Sequence, residues 1–263
     1  MEIQRINEKI NRMTVPYKDI FTTVYTVEYD GGYLLFDAAS YPSDVDEYIC
    51  PMLDTLGVTE ESLKYVFISH KHTDHAGGLS RLLELFPKVT VISSSEALRE
   101  KHSGASFITP PEGELIEGVF SLVNIPGHTS DSIALCDHRS KTLITGDSLQ
   151  LYGLFGSEEW GSNICFPAEH LLAVRKLSDM DIENIFTAHD FHPYGYAYRG
   201  REAVENALDA ASRPLLTMKK MILSHPSLTD AEIKELYCAS AAIPPVRERV
   251  FAAVRLAMNE NKM

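Results

Sequence analysis

Long apolar runs are missing from this chain. No stretch approaches the roughly 18 uninterrupted apolar residues of a membrane helix, so no membrane association is expected. The first nine residues, Met1-Glu2-Ile3-Gln4-Arg5-Ile6-Asn7-Glu8-Lys9, are polar and charged and hold no apolar signal core. Cysteine is scarce. Cys50, Cys136, Cys165 and Cys238 are widely scattered with no paired spacing, which argues against a disulfide framework and for reduced thiols in a cytoplasmic protein. Positive charge is the minority sign: 24 lysines and arginines stand against 37 aspartates and glutamates, a formal net charge of −13. That balance argues against a general phosphate-backbone binder, and no nucleic-acid partner is expected. Internal repeats and low-complexity tracts are absent too. What is present is 263 residues with 44% hydrophobic content, enough for one large domain, or a domain with an appendage, around an ordinary core.

The first two-thirds alternate strand-like and helix-like segments. Phe21 to Tyr29, the turn Asp30-Gly31-Gly32 and the return Tyr33 to Phe36 read as a hairpin. Asp44 to Leu56 has helical spacing and stops at Gly57. Strands are expected at Leu63 to Ile68, Val89 to Ser93, Leu115 to Ile125 (one or two), Ser132 to Cys136, Thr142 to Thr145 and Ile185 to Thr187. Helices are expected at Leu79 to Phe86, Ser95 to His102 and Pro167 to Leu177. From Arg201 onward the strand pattern stops. Four helices are expected, at about 201–211, 214–223, 229–239 and 245–259, punctuated by Pro214 and by the prolines at 244 and 245. Thr229 and Glu232 form a capping box. The domain reading is therefore 1–198 as the main body and 199–263 as a helical appendage.

The segment His70-Lys71-His72-Thr73-Asp74-His75 carries most of the functional information. Four metal-capable side chains fall within six residues, directly after the apolar run that ends at Ile68. A strand end on a rigid sheet is a good place from which to aim ligands. Three more residues share that setting. Val123-Asn124-Ile125-Pro126-Gly127 leads to His128, Thr142-Leu143-Ile144-Thr145-Gly146 to Asp147, and Ile185-Phe186-Thr187-Ala188 to His189. Glycine beside a ligand lets the backbone turn sharply. Histidine nitrogen and carboxylate oxygen are ligands that zinc accepts, and a catalytic zinc keeps a position open for water. His102, His138, His170 and His225 lie outside this pattern and read as packed or exposed residues.

With these motifs the chain resembles the metallo-β-lactamase fold superfamily. Its His-x-His-x-Asp-His motif is matched by His70, His72, Asp74 and His75, its third histidine by His128, its bridging aspartate by Asp147 and its last histidine by His189. Asp37, after Leu34-Leu35-Phe36, matches the family's early strand-end aspartate, which supports the site from behind. The resemblance covers about residues 15 to 195. It implies an α/β fold, an αββα sandwich with a C-terminal helical extension. It also implies two divalent metals, zinc first with iron or manganese as alternatives. One metal is assigned to His70, His72 and His128 and the other to Asp74, His75 and His189, with Asp147 bridging.

Two metals roughly 3.5–4 Å apart share a hydroxide and polarise a carbonyl or phosphoryl oxygen, so hydrolysis is the expected reaction. Asp74 and Asp147 are the catalytic carboxylates, Asp74 orienting the nucleophile and carrying a proton to the leaving group. A bridging Asp147 resembles glyoxalase II, lactonases and RNase Z more than metallo-β-lactamases proper. The acidic charge lowers the nuclease option, and His72 stands where flavodiiron proteins carry glutamate. A small ester, thioester or lactone is the expected substrate, a phosphodiester the alternative, and a non-enzymatic regulator that keeps the metal site a third reading. In glyoxalase II-like thioesterases and the related quinolone-signal response protein, C-terminal helices cover the active-site mouth, and residues 199–263 are expected to do so here. Glyoxalase II's glutathione-binding basic residues are not matched onto this chain. Tyr152, Phe155, Trp160, His192, Tyr194, Tyr196 and Tyr198 are candidates for shaping the pocket, and Lys219 and Lys220 for meeting an anionic substrate. The apolar C-terminal helices also offer a homodimer surface.

Overall fold

Buried side chains dominate the first long strands, with Thr22 to Val27 buried without a break. The computed structural model describes residues 2–154, 161–241 and 246–263. β1 (Ile3–Arg5), β2 (Ile10–Tyr17), β3 (Ile20–Tyr29) and β4 (Gly32–Phe36) run antiparallel in order. The β3–β4 pair is the hairpin expected from sequence. α1 (Pro42–Asp44), a π-helical turn at Val45–Ile49 and α2 (Cys50–Thr55) occupy the expected first helix. β5 (Leu63–Phe67), the single turn α3 (Thr73–Ala76), α4 (Leu79–Leu85), β6 (Thr90–Ile92), α5 (Glu96–Lys101) and β7 (Ser106–Ile108) follow. β4 to β7 pair in parallel. β8 (Leu115–Ile116), β9 (Phe120–Asn124) and β10 (Ile133–Asp137) pair antiparallel. The described strands fall into two sheets, of seven and six strands, giving the mixed α/β class expected.

The chain divides into two compact units. The first comprises residues up to Asn124 together with Ile133–Arg139. Its core stacks Met13, Val24, Leu35, Val66 and Val91 from successive strands under Ile49, Met52, Leu79 and Leu82 from the helices. Each such burial stabilises by about 1.5–3 kcal/mol before conformational entropy is counted.

The second unit comprises Ile125–Ser132 and Ser140–Met263. β11 (Thr142–Ile144) pairs in parallel with β12 (Asn184–Phe191), and β12 antiparallel with β13 (Gly195–Arg199). α6 (Pro167–Ser178), α7 (Arg201–Ser224), α8 (Asp230–Ala241) and α9 (Glu248–Asn259) supply the helices. Leu215, Met218, Ile222, Ile233, Tyr237, Val250, Phe251 and Val254 form the core shared by α7, α8 and α9.

One correction concerns Pro214. Sequence places a break there, yet α7 runs through it. A proline removes one ladder bond and crowds the carbonyl four residues back, a cost of about 3 kcal/mol. Val204, Ala207, Leu208, Ala211, Leu215, Met218 and Ile222 keep a buried stripe at helical spacing across the proline, and that burial outweighs the loss. One turn before Pro214, the Ala211 carbonyl accepts a hydrogen bond from His170 Nε2 at 2.9 Å. α9 begins at Glu248 rather than 245, and the prolines at 244 and 245 lie outside the described residues.

Candidate metal centre

In the first unit, β4 and β5 lie side by side in parallel, with Phe36 opposite Phe67. The chain leaves both strands at the same level. Asp37 N donates to Phe67 O at 2.8 Å, and Asp37 takes a left-handed φ of 64°. Its carboxylate is fully buried and triply engaged. It accepts from Ser69 N (2.8 Å) and Ser69 Oγ (2.9 Å) and pairs with His75 Nδ1 at 2.7 Å. Burial pushes the Asp37 carboxyl upward, while His75 and the Ser69 donors pull it back.

A carboxylate only accepts, so the Nδ1–H of His75 faces Asp37 and leaves Nε2 as the lone-pair nitrogen. That nitrogen lies 3.5 Å from Asp74 Oδ2. The turn α3 brings Asp74 and His75 inward, and both are buried. The two glycines after it follow from the packing. A Cβ on Gly77 would sit 1.8 Å from the Ser40 carbonyl oxygen, and one on Gly78 would sit 2.2 Å from that of Ala38. The backbone of 38–40 therefore rests directly on the turn that carries Asp74 and His75, with Ala38 N donating to His75 O at 2.7 Å. His70 Nε2 and His72 Nδ1 converge at 3.0 Å. The ligand atoms of His70 and His72 lie within 4.8 Å of each other, as do those of Asp74 and His75.

In the second unit, Gly127 holds φ at 154° and its carbonyl accepts from Cys165 N (2.8 Å) and Phe166 N (2.9 Å). An added Cβ would meet His170 Cβ at 2.7 Å. His128 Nδ1 donates to the Asn163 carbonyl at 2.7 Å, which fixes its tautomer and leaves Nε2 for a ligand. Gly146, at φ 56°, turns the chain out of β11 into Asp147. His189 lies where the β12–β13 register shifts between Phe186 and Phe191. The Asp147 carboxylate reaches two imidazoles: Oδ1 is 3.0 Å from His189 Nε2 and Oδ2 is 3.5 Å from His128 Nε2.

Histidines and aspartates thus form clusters able to bind metal ions. The donor chemistry fits. The nitrogens are mostly buried, two imidazoles have their second nitrogen committed to an acceptor, and the carboxylates lie beside ring nitrogens. All seven residues expected from sequence belong to these clusters. Ser69 and Asn163 were not foreseen. Ser69 had only its place between strand and ligand as a signal, and Asn163 acts through its backbone, which no side-chain pattern reveals. Among the pocket candidates, Tyr152 and His192 line one cavity, Tyr194 is exposed, and Tyr198 is buried with its hydroxyl donating to Gly195 O. Phe155 and Trp160 lie outside the described residues. His170 is buried, as a packed residue should be; burial pushes its pKa down to about 4.

Residues 17–189 match the family model described as Metallo-beta-lactamase superfamily. A hydroxyacylglutathione hydrolase of Blochmanniella pennsylvanica is 31% identical over 101 residues, 37% of this chain and 38% of that protein. The uncharacterized protein YobT of Bacillus subtilis is 28% identical over 217 residues, 70% of this chain and 89% of that protein. The chain spans about half or less of the length of the first curated relatives it matches. Among solved structures, the metallo-beta-lactamase family protein TTHA1429 from Thermus thermophilus aligns with a TM-score of 0.67 at 15% identity. That alignment covers 98% of this chain and 95% of that one. At this identity the likeness shows the fold.

Proposed function

The chain belongs to the metallo-β-lactamase superfamily, and on that premise we propose that it hydrolyses a small ester, thioester or lactone with two divalent metals, zinc foremost. His70, His72 and His128 would hold one ion, Asp74, His75 and His189 the other, and Asp147 would be shared. When bound, such ions bring the pKa of water down to about 7 and stabilise charge developing on the acyl oxygen. The chain's own residues do the rest. Asp37 holds the His75 ring in one tautomer, and the Asn163 carbonyl does the same for His128. Asp74 takes up a proton on its carboxylate and passes it to the leaving group.

The observation that carries this reading is the Asp147 carboxylate, with one oxygen toward His128 and the other toward His189. A single carboxylate serving two imidazole sites is the arrangement a shared ligand needs. The hydroxyacylglutathione hydrolase relatives add support for acyl chemistry. Residues 199–263 are proposed to cover the substrate entrance.

The test combines metal analysis with a panel of thioesters, p-nitrophenyl esters and lactones, run beside bis(p-nitrophenyl) phosphate. Near two metals per chain and acyl turnover that vanishes in Asp147→Ala, with the fold retained by circular dichroism, is the expected result. Undiminished turnover in Asp147→Ala, or turnover of the phosphodiester alone, overturns the reading.

A further inference from the structure

The second unit contains a cavity of about 530 Å³, within the size range of small-molecule sites. Tyr152 and His192 line it together with Thr217 from α7 and Tyr237, Ser240 and Ala241 from α8. Chain connectivity ties it to the ligands: Tyr152 follows Asp147 and His192 follows His189 within a few residues. Tyr152 N donates to His192 O at 3.3 Å, and His192 N donates to Gly153 O at 2.8 Å. A molecule in the cavity therefore rests on the two segments that present Asp147 and His189.

The walls define the occupant. Among the described residues, no lysine, arginine, aspartate or glutamate lines the cavity. Lys219 and Lys220 are not among the lining residues. Arg213, which hydrogen-bonds with Tyr152, is ion-paired with Asp209. Nothing in these described walls neutralises the anionic groups of a coenzyme A or glutathione thioester. The second feature is Tyr237, which is 1% exposed and whose hydroxyl has no hydrogen-bond partner among the described residues. A buried hydroxyl left unmet is costly. Burial raises its pKa, so the phenol stays protonated and is a donor in search of an acceptor.

We propose that this cavity receives the acyl portion of an uncharged substrate, and that Tyr237 Oη donates a hydrogen bond to an oxygen within that portion. The proposal rests on the hydrolase reading above and narrows its substrate class to neutral, oxygen-bearing acyl compounds. Tyr237 selects the substrate and takes no part in the chemistry.

Three amides of equal shape test it, because they bind without reacting: N-butyl-4-oxopentanamide, N-butyl-4-methylpentanamide and the anionic N-butylsuccinamic acid. Calorimetry on the metal-loaded protein should show the oxo compound binding roughly ten-fold more tightly than either of the others, as one neutral hydrogen bond allows. Tyr237→Phe should erase that advantage over the methyl compound and leave the melting temperature unchanged or higher, because it removes an unmet hydroxyl. A hydroxyl with a structural role would lower the melting temperature instead. Thr217→Trp, at an exposed position on the cavity wall, should weaken all three. Tightest binding of the succinamic acid, or an oxo advantage that survives in Tyr237→Phe, overturns the proposal. The N-acetylcysteamine thioester of 4-oxopentanoate separates the two readings. Binding of the amide without hydrolysis of the thioester sinks the hydrolase reading alone, and hydrolysis without the binding pattern sinks the cavity proposal alone.

Discussion

Lowering the pH should destabilise this protein through His170 in particular. The ring is buried, its Nε2 donates to the Ala211 carbonyl, and burial takes its pKa from 6.5 down to about 4. The folded state therefore holds the neutral ring, while the unfolded chain takes up a proton below about pH 6.5. Stability is fully present above that pH and is lost as pH falls toward 4. The whole difference is roughly 3 kcal/mol, and about 2 kcal/mol of it is gone by pH 5. Urea denaturation of metal-free protein at pH 8 and pH 5 measures it, with His170→Gln as the comparison. The variant is less stable at pH 8, since the replacement fits the cavity less well. Its loss between pH 8 and pH 5 should be about 2 kcal/mol smaller than that of the parent. Equal losses in both proteins would refute the assignment, because the share of titratable groups that do not interact with His170 cancels in the comparison.

Two further outcomes follow from the ligand turn. Gly77→Ala forces a Cβ against the Ser40 carbonyl oxygen; the expected cost is about 3 kcal/mol, read as a fall of roughly 10 °C in melting temperature. A stable Gly77→Ala protein would mean that the 38–40 backbone does not rest on the turn. Asp37→Asn removes the charge behind His75 while keeping its shape, and should weaken metal binding about 10- to 100-fold in a chelator competition. Unaltered affinity would remove Asp37 from the set of residues that support the site.

The strand ends that carry the candidate site residues were legible in the sequence because rigid sheets leave strong marks there. An apolar run closed by a polar residue reads as a strand end, and His70, His128, Asp147 and His189 all announced themselves in that way. The hairpin at Asp30-Gly31-Gly32 was equally plain, since those residues accept the turn's backbone geometry. Less legible was β2, where the half-buried Asn11, the exposed Thr14 and an internal Pro16 blur the pattern of Ile10, Met13, Val15 and Tyr17. β7 and β13 are short and mostly exposed or half-buried, so burial supplied no pattern. Pro214 misled because a local rule lost to the packing of α7. The roles of Ser69 and Asn163 depend on which segments fold next to each other, and no local pattern carries that information.

The close seating of residues 38–40 on the Thr73–Ala76 turn has a consequence for how this protein would meet the metal ions proposed for it. Asp37, Ser69 and the two glycines hold Asp74 and His75 in place through bonds and contacts that the chain makes with itself. In small domains folded around zinc, binding must organise the ligands and the metal is part of the fold. Here the placement of Asp74 and His75 belongs to the polypeptide. Chelation should strip any bound ions and leave the scaffold standing, ready to be reloaded, so the same preorganised cradle would be open to whichever suitable cation the surroundings supply.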